Sequence, residues 1–242
     1  MDVPPALVLA GAVLGGFVQG LSGFAFALVA TVFWSGVLPP QVAVPLLVAC
    51  SLAAQLMSIR TVWPSLDLRQ AAPMVGGGLV GVPLGVLVLP LVDPAAFRTG
   101  VGVLLLVYCP AMLFAQRLPR VTAGGRWADG AAGLVGGMMG GIGGLAGPAP
   151  TLWCALRGWD RDTQRAMFQS FLVVSQAAAV VGFIGIHAYT PKVLWTLAWA
   201  LPLTLLPSLI GQRFYAGISP EAFRRLILIL LMLTGLALLL TP

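Results

Sequence analysis

Few side chains in this 242-residue chain are of the types that do chemistry. Histidine occurs once, cysteine three times, and Asp and Glu together seven times. Cys50, Cys109 and Cys154 each stand alone in apolar sequence, the setting of small packing residues rather than of a metal cluster or redox pair. His187 lies beside Tyr189 and Lys192 at the end of an apolar run and reads as a solvated loop residue. An enzyme would need a nucleophile with a base, or a metal cluster, so no catalytic residue, metal site or cofactor is expected. What remains is a small set of neutral polar groups deep in apolar sequence: Gln19, Ser22, Gln55, Gln169, Ser170 and Gln176. Amides and hydroxyls at such depth either join helices, at about 0.6 kcal/mol each, or line a binding site. Ser51 and Ser175 nearby are expected to bond their own helix carbonyls.

Glycine supplies the second kind of candidate. The segment GGMMGGIGGLAGPAP (Gly136–Pro150) lies inside 27 uncharged residues, Gly130 to Leu156. A straight helix of about 28 residues would be roughly 42 Å long, enough to cross a bilayer, yet glycine and proline are the poorest helix formers. A break near Gly143–Gly147 makes two half-helices that meet near mid-membrane. Irregular backbone is tolerated there only where it is buried in protein or lines a wet cavity. The freed N–H groups at a half-helix N-terminus carry the positive end of the helix dipole and suit an anion. Pro148 and Pro150 fit the first turn of the returning half-helix. Gly23, Gly141, Gly143 and Gly144 therefore join the polar residues as candidate substrate-binding positions. The Gly133/Gly137/Gly141 spacing also suits close packing of helices.

These residues must be held by membrane helices. The chain is 59% hydrophobic and only 8% charged, with a mean hydropathy of +1.00, where soluble domains carry about 25% charged residues. Uncharged runs at 3–59, 70–92, 99–116, 130–156, 166–191, 193–212 and 226–242 give seven to eight hydrophobic segments. Strict alternation is missing, which excludes a β-barrel. The fold class is an all-α polytopic membrane protein. The thirteen Lys and Arg sit in short connections between apolar runs, so the net charge of +6 writes topology and does not mark a nucleic-acid partner. The start, MDVPPALVLAG, has no basic region, so a cleaved signal is not expected. Trp34, Trp63, Trp153, Trp159, Trp195 and Trp199 read as interface anchors.

The two halves resemble each other. GGFVQGLSGFA (Gly15–Ala25) aligns with GGMMGGIGGLA (Gly136–Ala146) at an offset of 121, which also carries Gln55 onto Gln176. PAAFR (Pro94–Arg98) matches PEAFR (Pro220–Arg224) at an offset of 126, and Gly85 falls on Gly211. Each half reads as a Gly-rich element plus three transmembrane helices, with repeat 1 at about 5–116 and repeat 2 at about 129–241. If all eight elements crossed, the basic residues would divide six against seven. If 129–156 enters and returns on one side, loops 60–69, 117–129, 157–165 and 213–225 share a face holding eleven of thirteen. That face is cytoplasmic by the positive-inside rule. The repeats are then inverted, as in many secondary transporters. By symmetry 5–34 is a hairpin from the outside; were it to cross, the spans would number seven.

The two Gly-rich elements, with GGIGGLAGPAP followed by a short basic loop and RAMFQSFLVVSQ, resemble the TauE/SafE family of sulfite and organosulfur-anion exporters over essentially the whole chain. Gly141, Gly143, Gly144 and Pro148 match its G-x-G-G-G motif with a following proline, Leu145 replacing the third glycine; Gly20–Phe24 is a more degenerate copy. The resemblance implies transport of small sulfur-containing anions. The residues themselves imply an anion-friendly cavity.

No Asp, Glu, Lys or Arg lies mid-span, which argues against an elaborate proton relay. Expelling a monovalent anion from a negative cytoplasm gains about 2.3 kcal/mol per 100 mV, so export needs no coupling ion. The expected protein is a multi-pass exporter of a small anion in the cell inner membrane, working by alternating access. Its partners are the substrate and the lipid bilayer, with no nucleic acid. Homo-oligomerisation is left open, as are the alternatives of an anion channel or an ion-coupled uptake permease.

Overall fold

The computed structural model describes residues 5–23, 25–62, 68–115, 120–159, 161–214 and 220–240. Among them are ten α-helices and no strand: α1 (Pro5–Ser22), α2 (Phe26–Trp34), α3 (Pro40–Val62), α4 (Leu68–Val88), α5 (Pro94–Leu113), α6 (Gly125–Gly143), α7 (Pro148–Arg157), α8 (Arg161–Gly185), α9 (Pro191–Phe214) and α10 (Pro220–Leu240). Six of them open on proline, which has no N–H to leave unpaired in a first turn. Asp93 starts α5 by accepting the Ala95 and Ala96 N–H groups at 2.9 and 3.1 Å.

Two elements are broken, one after Gly23 and the other at 144–147. With 9 and 10 residues, α2 and α7 are short; at about 14–15 Å they span about half of a 30 Å hydrocarbon core. Each turns back beside the helix before it. The Trp34 indole N–H donates to the Val8 carbonyl at 3.1 Å, tying the end of α2 to the start of α1. Arg157 Nη1 reaches the Val121 and Thr122 carbonyls, both at 3.4 Å, and Val121 N–H donates to Leu156 O at 2.8 Å. The feet of each hairpin therefore lie on one side, and 5–34 returns rather than crossing. This leaves α3, α4, α5, α8, α9 and α10 as full-length helices. Five have spans of sufficient length and hydropathy, and α10 contributes the apolar stretch Ile227–Leu240.

The helices pair reciprocally. α4 packs along α6, and α9 packs along α1; α5 faces α10, and α3 faces α8. Glycine sets both long contacts. A Cβ on Gly85 would meet Met138 O, Gly141 Cα and Ile142 N, whereas one on Gly211 would meet Phe17 O, Gly20 Cα and Leu21 N. The offsets of 121 and 126 carry the second set of contacts onto the first. Backbone approaches backbone at these points, the closest packing two helices can make.

The outer faces of the long helices carry exposed apolar side chains such as Val107, Val181 and Leu206, as lipid-facing helices do. Trp195, 75% exposed, fits the anchor role. Trp34 does not: it is fully buried, edge-on to Phe26 at 5.9 Å, as a clasp inside the first hairpin. Trp153 also departs from that role, its indole N–H donating to Asp129 Oδ1 at 2.8 Å. Trp63 lies outside the described residues.

Candidate functional site

The two breaks are built alike and face one another. Each preceding helix ends on a glycine in the left-handed region, Gly23 at φ 83° and Gly144 at φ 70°. These two positions match at the offset of 121. Non-glycine residues rarely adopt that conformation. Gly144 N–H returns to Gly140 O at 2.9 Å and Leu145 N–H to Met139 O at 3.3 Å, closing α6 with its last carbonyls satisfied. The chain then runs through Leu145 and Ala146 to Pro148 and turns into α7.

A small cleft lies between the breaks, lined by Ala27, Leu28, the 144–148 segment, Leu172 and Gln176. Both half-helix N-termini reach it, α2 through Ala27 and Leu28, α7 through Gly147 and Pro148. Their donor supply differs. In α2 the Val29 N–H bonds Ala25 O at 3.1 Å, which leaves the Ala27 and Leu28 N–H groups without intrahelical acceptors. In α7 Pro148 and Pro150 have no N–H to offer. Thr151 closes the turn by donating its N–H to Gly147 O at 3.0 Å. Of the two half-helix termini, α2 is the richer in N–H donors.

Amide side chains surround the first break. Gln19 sits in the first break: its Oε1 accepts the Phe26 N–H at 3.0 Å, and its Nε2 donates to Gln55 Oε1 at 2.9 Å and Gly23 O at 3.3 Å. Gln169 Nε2 donates to the same Gly23 carbonyl at 3.1 Å. Gln19, Gly23, Gln55 and Gln169 are thus one network. Gln176 lines the cleft from α8, where Gln169, Leu172 and Gln176 share one face. All four glutamines are at least nine-tenths buried.

The other candidates fall elsewhere. Ser22 Oγ donates to Val18 O at 2.8 Å and accepts Ala25 N–H at 3.2 Å, so it shapes the break. Ser170 Oγ donates to Ala166 O in its own helix at 2.8 Å. Gly141 lies on the α4 contact, facing the backbone of Val82 and Val86. Gly143 ends α6 beside Phe97 and Leu145. Ser175 Oγ is buried without a hydrogen bond, contrary to the expectation that it bonds its own helix. Two groups escaped the sequence reading. Tyr108 Oη lies 3.0 Å from Thr151 Oγ1, bracing the first turn of α7 from α5. At the foot of the second hairpin, Asp129 pairs with Arg157 at 3.4 Å, and Arg157 stacks on Trp153 and Trp159 at 5.9 and 5.5 Å. Asp129 stands one residue outside an uncharged run, and its partner was readable only as loop charge.

Long apolar helices around two broken hairpins, with half-helix N-termini meeting at a small cleft beside Gln176, define a membrane transport protein. The chain belongs to the sulfite exporter TauE/SafE family, whose description matches residues 7–238. No curated protein and no solved structure matches the chain.

Proposed function

We propose that the protein exports a small anion, sulfite or an organosulfonate, across the inner membrane by alternating access. The reading rests on one observation: the N-termini of α2 and α7 reach the same cleft, beside the amide of Gln176. Two helix dipoles with their positive ends toward one neutral pocket favour an anion without fixing it by a full charge. Gln19 and Gln55 hold the α2 terminus, and Gly23 and Gly144 make the turns.

The reciprocal contacts of α4 with α6 and α9 with α1 support two inverted repeats, about 5–116 and 129–241. Arg120, Arg126 and Arg157 gather at the foot of the second hairpin, which by the positive-inside rule supports a cytoplasmic foot. The anion would be exposed to each side in turn as one hairpin shifts against the other. The chain acts in this scheme as a transporter and not an enzyme.

Purified protein in liposomes should carry sulfite or sulfonate outward down an imposed potential, with net charge movement. Absence of flux for sulfite, sulfonates, thiosulfate and carboxylates alike would overturn the reading. Conductance far above carrier turnover would replace the exporter by a channel.

A further inference from the structure

Serine and threonine inside these helices follow one habit. Ser22, Thr151, Ser170, Thr196, Thr204 and Thr234 each donate to the carbonyl four residues back, at 2.8–2.9 Å. Thr31 and Ser35 break it: they are 1% and 5% exposed, and neither hydroxyl has a hydrogen-bond partner. Among the described residues, Ser175 and Ser208 are the other such hydroxyls, and each stands at a glycine contact between helices, at Gly78 and Gly20. The place of Thr31 and Ser35 is different. At about 100° per residue they lie about 40° and 80° around the α2 axis from Ala27, between Ala27 and Leu28, the two α2 residues that line the cleft. Ser35 keeps helical dihedrals, φ −63° and ψ −23°, so the phase holds to the foot. Along the axis the two stand about 6 and 12 Å beyond Ala27, on the way from the cleft to the end that Trp34 ties to Val8. The hairpin does not demand hydroxyls there, since the offset of 121 puts Leu152 and Leu156 at the matching places in α7. A buried hydroxyl left unpaired costs stability, so the closed structure gains nothing from them.

We infer that the anion leaves the cleft toward the outer face along α2, with Thr31 and Ser35 as two successive hydroxyl donors on its way. This route rests on the export reading above and adds two residues to it. The Ala27 and Leu28 N–H groups begin the line, and each hydroxyl follows about one helical turn further on. An oxyanion can therefore meet the next donor before it leaves the last. Hydroxyls donate without a fixed charge, so they guide the anion and do not trap it. While the outer half is shut they stay dry and unpaired; when it opens they face the anion.

Thr31→Val and Ser35→Ala each remove one hydroxyl at nearly constant shape. Flux of sulfite, ethanesulfonate, thiosulfate and acetate is measured in proteoliposomes containing the full chain. For the anion carried, the maximal rate should fall about threefold to tenfold in each variant, the loss of one hydrogen bond. The half-saturating concentration should hold, because the cleft is intact, and the melting temperature should stay level or rise. Wild-type rates in both variants, or a lowered melting temperature with unchanged flux per folded protein, would make the hydroxyls structural and overturn the route. A second measurement uses Thr31→Cys and Ser35→Cys in a background lacking Cys50, Cys109 and Cys154. Both should react with an impermeant anionic thiol reagent applied from the side away from Arg126, and more slowly with sulfite in excess. Ala30→Cys, which faces the apolar cluster of α1, α3 and α9, should not react. Reaction at neither hydroxyl position, or equally at Ala30, overturns the route and leaves anion export standing; no wild-type flux of any of the four anions removes both.

Discussion

Gly143 and Gly144 are neighbours with different reasons to be glycine. Gly144 sits at φ 70°, and a Cβ there would lie 3.1 Å from Leu47 Cβ. Gly143 has no such dihedral, and its added Cβ would find Phe97 at an ordinary 3.6 Å. Gly144→Ala should therefore cost about 1–2 kcal/mol from the left-handed backbone alone, and should lower both the melting temperature and the flux. Gly143→Ala should be close to neutral in both measurements. Gln19→Leu would leave the Phe26 N–H and Gln55 Oε1 without partners, for a loss of about 1–3 kcal/mol in thermal unfolding. Scarcity made the glutamines legible in the sequence, because an amide in apolar sequence needs a reason. Their roles were not legible. Gln19 caps a helix seven residues on, across a break whose geometry no spacing rule encodes, and Gln169 meets Gly23 from 146 residues away.

At the scale of elements, the breaks were readable and their partners were not. Glycine and proline in 27 uncharged residues announce a helix that stops, and it stops at Gly143. Which glycines pack and which bend depends on the neighbouring helix, and that comes from the other half of the chain. α4 supplies the contrast. A Cβ on Gly81 would fall on the backbone of Leu134 and Met138, whereas one on Gly76 would meet nothing within 4 Å. Gly81→Leu should separate α4 from α6 and abolish the folded monodisperse protein in detergent. Gly76→Ala should raise the melting temperature, worth up to about 1 kcal/mol of helix propensity. The foot of the second hairpin gives a further case. Asp129→Asn keeps an acceptor for Trp153 but removes the charge facing Arg157, and should cost about 1–3 kcal/mol in unfolding free energy.

For the whole molecule, charge arithmetic argues for a hairpin: only a returning 129–156 segment puts eleven of thirteen basic residues on one face. Single cysteines at Arg126 and Trp159, in a background lacking Cys50, Cys109 and Cys154, should react with an impermeant thiol reagent from the same side. A cysteine at Lys192 should react from the other side. Opposite labelling of the first two would contradict the hairpin. The charges could not tell that each hairpin leans on a helix of the opposite half, since both arrangements give the same loops. That exchange groups α1, α2 and α9 together and α4, α6 and α7 together.

The pairing of α1 with α9 also bears on how the chain is made. The first hairpin leaves the ribosome well before Pro191–Phe214, the surface that holds its long face. Glycine-lined and short of contacts, it must wait at the bilayer while nearly the whole chain is inserted behind it. An early segment is thus seated late, and a release from the ribosome before residue 191 strands it.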